Sequence, residues 1–331
     1  MKKIINSPET LVDEMLEGFV DLYADIVALV PGTRAIKRKD APISGKVALI
    51  TGGGSGHEPA HAGFVGPGML TGAIAGDVFT APSLEHTLEL SKEVYSGEGI
   101  LYIIKNYAGD ILMFETAMEM LEDEGIKSDK IIVHDDIAVD EEDGEIKRRG
   151  VAGTVLIHKI VGAGADEGLS LNALKDLGEK AIARVRTYGM ALSPCVIPAR
   201  GEPNFTLGPD EIEIGIGIHG EPGVERVKMQ DAHTLVRSMM DKLLKETVFA
   251  DAKEVLLMVN GMGATPLMEL FVVFKESISY LKELGIEVSR KMVGEYMTSL
   301  EMGGFSITLL KLDEELKHYI DYPTRAPAWR I

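Results

Sequence analysis

Three short apolar runs, each separated from the next by a helix-like stretch, constrain this 331-residue chain more than any other feature. Val47-Ala-Leu-Ile-Thr51, Gly99-Ile-Leu-Tyr-Ile-Ile104 and Ile131-Ile-Val133 have strand length and suit burial on both faces, as in a parallel sheet. Between them Leu84, Leu88, Leu90 and Val94, then Ile111, Phe114, Met118 and Leu121, mark two helices closed by Gly97 and Gly125. The rhythm predicts an α/β fold, its first sheet mainly parallel and covered by helices on both faces. Ser7-Pro8-Glu9 reads as an N-terminal helix start, whereas Asp25–Ser44 lacks any period and reads as irregular. Helices are expected near 151–165 and 171–187. Glycines at 63, 66, 68, 72 and 76 suggest backbone packed tightly around a site.

The second half alternates again, beginning with Glu211-Ile-Glu-Ile-Gly-Ile-Gly-Ile-His219. Isoleucines at every second position predict a strand over 211–218 with one buried face. The other face holds Gly215 and Gly217, a trough that a ligand or another backbone can approach, with His219 at its end. A helix from Asp231 to about Lys245, strands at 255–259, 286–293 and 305–311, a helix to about Leu284 and a short one after Asp313 complete this half. Four prolines and two glycines between Ser193 and Pro209 place a domain change there. The expectation is an α/β domain over 1–190 and a smaller mixed-sheet α/β domain over 191–331, its last residues packing back on the first.

Charge narrows the function. A net charge of −18 argues against nucleic acid or an anionic membrane as partner. Cys195 is the one cysteine, so neither an intramolecular disulfide nor a cysteine zinc cage can form. No apolar stretch has the length of a signal peptide or membrane span, and a cytoplasmic location is expected.

Gly52-Gly-Gly-Ser-Gly-His57 follows a strand as a phosphate loop would, but lacks the Gly-Lys-Ser/Thr that reaches the terminal phosphates. His57-Glu58-Pro59-Ala60-His61 satisfies the letters of a zinc-protease motif, yet Pro59 and the preceding glycines deny both rings one helical face. No metal site is assigned. His57, Lys105 with Asp110, and His219 each follow a strand, at the edge where open α/β sheets bind ligands. They read either as ordinary loop residues or as hydrogen-bonding and acid–base groups for a small hydroxylated ligand. Gly261-Met-Gly-Ala-Thr265-Pro266 reads as a capped helix start or an anion site, and His134-Asp135-Asp136 as capping groups or metal ligands. His86, His158, His233 and His318 fall in helical segments and read as surface residues.

These residues together resemble the K subunit of dihydroxyacetone kinase. The resemblance is carried by Gly52–Pro59, Ile104–Tyr107 with Gly109-Asp110, Arg148–Thr154, Phe205–Gly208, Gly215–Gly223, Asn260–Pro266 and Phe305–Leu310, in order along the chain. It implies that His219 adds to the ketone of dihydroxyacetone as a hemiaminal. It also implies acid–base and hydroxyl-binding roles for His57 and Asp110, and substrate binding by Gly54, Ser55, Gly56 and Lys105. With the sequence ending at Ile331, the expected phosphoryl donor is a separate L subunit carrying ADP or ATP with Mg, fed by the phosphoenolpyruvate phosphotransferase system. No cofactor is then expected on this chain, and a homodimer is. The family also contains K-like paralogues that bind dihydroxyacetone as transcriptional co-activators, and a related ketose is a further possible substrate.

Overall fold

The computed structural model describes residues 2–139, 141–142 and 145–329. The strands β1 (Val27–Leu29), β2 (Ala35–Arg38), β3 (Ala48–Ser55), β4 (Gly72–Val78), β5 (Ile100–Lys105) and β6 (Ser128–Val133) form one six-stranded sheet, in the order β1-β2-β4-β3-β5-β6. Its β3–β4, β3–β5 and β5–β6 pairings are parallel, while β2 pairs antiparallel with β1 and β4. A small hairpin of β7 (Glu141–Glu142) and β8 (Glu145–Ile146) follows.

The second sheet also has six strands: β9 (Val185–Ser193), β10 (Glu211–Ile214), β11 (Glu225–Lys228), β12 (Glu254–Gly261), β13 (Glu287–Gly294) and β14 (Gly303–Lys311). Its order is β11-β10-β9-β14-β12-β13, and only β12–β13 is parallel. Residues 190 and 191, the division expected above, both lie within β9.

Eight helices among the described residues cover these sheets: α1 (Leu11–Leu22), α2 (Leu84–Val94), α3 (Ala108–Asp123), α4 (Thr154–Asp166), α5 (Leu171–Arg184), α6 (Ala232–Leu244), α7 (Leu267–Glu283) and α8 (Glu314–Asp321). The two-residue period of the strands decides which helices meet which face. Ile100, Tyr102 and Ile104 of β5 pack with Leu90 and Val94 of α2 and Phe114 and Leu121 of α3. Leu101 and Ile103 point the other way, into a core with α1, α4 and α5. Leu256 and Met258 of β12 enter that same core from the second sheet, whereas Val255, Leu257 and Val259 pack with α6 and α7. The helix α4 is therefore enclosed between the sheets, and every residue from Thr154 to Ala165 is buried. The expected α/β class, with the first sheet covered on both faces, is the fold observed.

Several local expectations need correction. Asp25–Ser44 holds β1 and β2, which are too short to show a period and depend on pairing with β4. Pro8–Thr10 form a turn, and helix α1 starts at Leu11 with Thr10 as its N-cap. His158 is no surface residue: it sits wholly buried on α4. The crowding at Gly63, Gly66 and Gly68 comes from the C-terminal segment rather than from a ligand site. A Cβ on Gly66 would lie 2.3 Å from the Arg325 carbonyl, and Ala328 N–H donates to Gly63 O. Lys159 fixes the start of that segment by donating to the carbonyls of Tyr319 and Tyr322 at 2.9 and 2.7 Å.

Candidate active site

The first strand expected, 47–51, runs on as β3 through Ser55, so Gly52–Ser55 are strand and not loop. The Ser55 hydroxyl donates to Gly76 O on β4 at 2.7 Å. A Cβ on Gly54 would lie 2.5 Å from Thr80 N, so the backbone leaving β4 packs directly on it. Gly56, with φ +100°, turns the chain out of the strand and delivers His57 to the interior. The His57 Nδ1 lies 2.8 Å from Thr298 O. A carbonyl only accepts, so Nδ1 carries the proton. Burial, reinforced by the charges of Lys105 and His219, holds the His57 pKa well below 6.5. The neutral ring therefore presents a bare Nε2, which has no hydrogen-bond partner. Residues 58–61 form a turn, and His61 turns its Nδ1 to His158 Nε2, 3.0 Å away. No pair of histidines on one helical face exists here, and no group of three His, Cys, Asp or Glu among the described residues is placed to hold a metal.

Lys105 is the last residue of β5 and is wholly buried. Asp110 lies in the first turn of α3, its Oδ2 3.8 Å from Lys105 Nζ. That gap is too wide for a hydrogen bond, and Nζ has no other hydrogen-bond partner. Burial lowers the Lys105 pKa against the pull of Asp110 and Glu221, and burial raises that of Asp110 against the charges of Lys105 and His219. Both shifts run toward the neutral forms, the kind of perturbation that buried functional groups show. Tyr107, at the N-cap of α3, lies with its ring 5.2 Å from Nζ and its buried hydroxyl unpartnered.

His219 arrives from the second sheet. The strand expected over 211–218 ends at Ile214, because Gly215 adopts φ +77° and breaks the extended run. Ile216 and Ile218 stay buried without a strand. The trough expected along the glycines is not empty either. At Gly217 a Cβ would lie 2.1 Å from Glu221 Oε2 and 2.7 Å from Arg149 Nη1, so side chains of the protein fill it. Glu221 Oε1 is 2.8 Å from His219 Nδ1, and Asn204 donates to His219 O at 3.0 Å. The imidazole stands among three rings: His57 at 4.8 Å between centroids, Phe79 at 5.2 Å and Tyr107 at 4.7 Å. Phe79 also stacks on His57 at 5.1 Å and holds φ +58°, a backbone state that a bulky residue keeps only when its surroundings enforce it.

The fold thus brings His57, Lys105, Asp110 and His219 together across two sheets. Three unpartnered polar atoms, His57 Nε2, Lys105 Nζ and Tyr107 Oη, belong to this cluster. Buried polar atoms are usually paired, and such a set suits a small molecule rich in hydroxyl and carbonyl oxygens. Sequence reasoning missed Phe79, Glu221, Arg149 and Thr298. Glu221 had a legible signal, two residues beyond His219 in the same turn; Phe79 and Thr298 had none. The His134-Asp135-Asp136 run serves structure. Asp135 accepts from the Val151 and Gly153 N–H groups at the start of α4, and Asp136 pairs with Arg149 at 2.7 Å. Thr265, read as a helix cap, instead donates to Gly304 O at 2.6 Å, and Pro266 takes the N-cap of α7.

The buried histidine behind the site carries a stability prediction. Burial, with the Lys105 charge, depresses His158 to about 3. The unfolded chain then binds a proton that the folded chain refuses, so this contribution is present above 6.5 and is lost as pH falls toward about 3. Acidification through that window is expected to cost up to about 1.4 kcal/mol per pH unit at this residue. Urea unfolding across the window checks it: the wild type should lose stability more steeply than His158→Gln, and equal slopes would contradict it.

The chain matches the Dak1 domain family over residues 17–328. It is 50% identical, over 99% of its length and 100% of the relative's, to the dihydroxyacetone-binding subunit DhaK of PTS-dependent dihydroxyacetone kinase 1 from Listeria innocua serovar 6a. The chain belongs to the DhaK family. Among solved structures, the dihydroxyacetone kinase operon co-activator DhaQ superposes with a TM-score of 0.90 at 38% identity, covering 96% of this chain and 97% of that one. The native dihydroxyacetone kinase of C. freundii superposes with the same TM-score at 33% identity, covering 99% of this DhaK-family chain and 60% of the kinase. Both sheets and their order therefore stand as a family fold.

Proposed function

We propose that this chain is the dihydroxyacetone-binding subunit of a phosphotransferase-system-dependent dihydroxyacetone kinase, working in the cytoplasm. The observation that carries the reading is the convergence of His219, from the turn after β10, with His57, Lys105 and Asp110 at and beyond the ends of β3 and β5. In this reading His219 adds through Nε2 to the ketone carbon, a bond that glycerol cannot form. The neutral His57 and the basic Asp110 hydrogen-bond the two hydroxyls, and Asp110 takes the proton of the hydroxyl that attacks phosphorus. Lys105 and the backbone at Gly54, Ser55 and Gly56 complete the substrate contacts. The phosphoryl group comes from ADP or ATP with Mg on a separate L subunit, and the chain acts as a homodimer.

The likeness to the DhaQ co-activator supports a second reading, a ketone sensor that captures without transferring. One assay separates them. Purified chain is mixed with its cognate ADP-loaded L subunit, the phosphotransferase donor proteins, phosphoenolpyruvate and dihydroxyacetone. Dihydroxyacetone phosphate should accumulate only when both subunits are present. Ketone capture with no product, although the L subunit is cognate, would overturn the kinase reading in favour of the sensor.

A further inference from the structure

We infer that Glu221, backed by Arg149, is a positioning residue that holds the His219 proton on Nδ1 and so leaves the lone pair on Nε2. The inference rests on the reading of His219 as the ketone-capturing group, and its first test does not.

Two hydrogen bonds and one neighbouring charge carry it. Glu221 Oε1 lies 2.8 Å from His219 Nδ1, and Glu221 Oε2 accepts the backbone N–H of the same histidine at 2.9 Å. One carboxylate thereby clamps both the ring and the chain that bears it. An ionised carboxylate only accepts, so the shared proton belongs to Nδ1. Arg149 supplies a positive charge nearby without an ion pair to that carboxylate: a Cβ on Gly217 would lie 2.1 Å from Glu221 Oε2 and 2.7 Å from Arg149 Nη1. Its guanidinium is itself fixed from behind, donating to Asp136 Oδ2 at 2.7 Å and to Gly215 O at 2.8 Å. Burial pushes the Glu221 carboxyl up, but the His219 hydrogen bond and the His219 and Arg149 charges hold it at about 2. It therefore stays an anion throughout the working range of pH. Gly217 acquires a definite reason: any side chain there would displace the carboxylate from the histidine.

The chemistry needs this arrangement. As the Nε2 lone pair forms the N–C bond, the carbonyl π pair moves to oxygen, which takes up a proton. The ring becomes cationic and keeps its Nδ1 proton in the hydrogen bond to Glu221, so capture takes up one proton from solvent, the one on the new hydroxyl. An anion at Nδ1 stabilises the cationic ring, as the carboxylate behind a catalytic histidine does elsewhere. The opposite tautomer, with the proton on Nε2, has no lone pair facing the ketone and cannot start.

The test is 15N NMR of histidine-labelled protein without ketone, followed by the rate of dihydroxyacetone capture. Wild type should show a protonated Nδ1 and a bare Nε2 at His219. Glu221→Ala should mix the tautomers toward protonated Nε2 and slow capture by about tenfold or more. Glu221→Gln, which keeps size and an acceptor oxygen but not charge, should fold as wild type and fall between. A Glu221→Ala protein with the wild-type tautomer, or with an unchanged capture rate, overturns the inference. A wild-type chain that shows the Nδ1–H tautomer but captures no ketone overturns the reading of His219 instead.

Discussion

Replacing His219 by alanine is expected to remove covalent capture of dihydroxyacetone and to lower turnover by a factor on the order of 10³ or more. In the proposed mechanism the anchored ketone would meet the phosphoryl donor as a positioned reactant, an advantage that alanine forfeits. The fold should survive. The His219 side chain keeps 20% exposure and lies in a turn outside any strand, with its ring bordered by other site residues rather than by the main core. Its loss leaves Glu221 beside Arg149, whose positive charge remains to balance the carboxylate. Circular dichroism should superpose on wild type while coupled turnover disappears. A variant with near-normal turnover would remove His219 from the mechanism.

Asp110→Asn is expected to keep ketone capture within a few-fold and to lower turnover by roughly 10² to 10⁴. The substitution preserves shape and hydrogen bonding but removes the proposed base. Burial raises the carboxyl of Asp110 above the usual 3.8, which makes it a better acceptor for a hydroxyl proton than an exposed aspartate. The sign of the pH effect follows. The charged form is lost on acidification through a pKa above 3.8, so wild-type turnover should fall on the acid side earlier than ordinary carboxylate chemistry would. Coupled turnover as a function of pH checks both points, since the asparagine variant should lack that acid limb. Near-normal turnover in Asp110→Asn would assign the proton transfer elsewhere.

What the sequence disclosed follows from how local each signal is. The strands β3, β5, β6, β12 and β14 were legible because buried strands need apolar side chains on both faces. The strand β4, Gly72-Ala-Ile-Ala-Gly-Asp-Val, was not. It owes its conformation to pairing with β2 and β3, and its glycines give way to Leu90 and to the backbone at Thr80. The isoleucine alternation at 212–218 was misleading in one respect. All four side chains are buried, but only the first two belong to a strand, because a left-handed glycine ends it and the interior receives the others from a loop. His57, Lys105, Asp110 and His219 could be singled out from their places after strands, and the fold brings them together. Their surroundings could not be read, since the Thr298 carbonyl reaches His57 from 241 residues away and Phe79 approaches through backbone strain. Side chains that act through distant partners leave no periodic mark.

The central claim is a covalent bond between His219 and the ketone carbon. It is tested most directly by 13C NMR of the chain mixed with dihydroxyacetone labelled at its carbonyl carbon, beside His219→Ala as control. The account predicts that the bound label leaves the ketone region and appears as a tetrahedral carbon in wild type, with no such signal in the variant. A bound label that remains a ketone in wild type, or a tetrahedral signal that persists without His219, would contradict it.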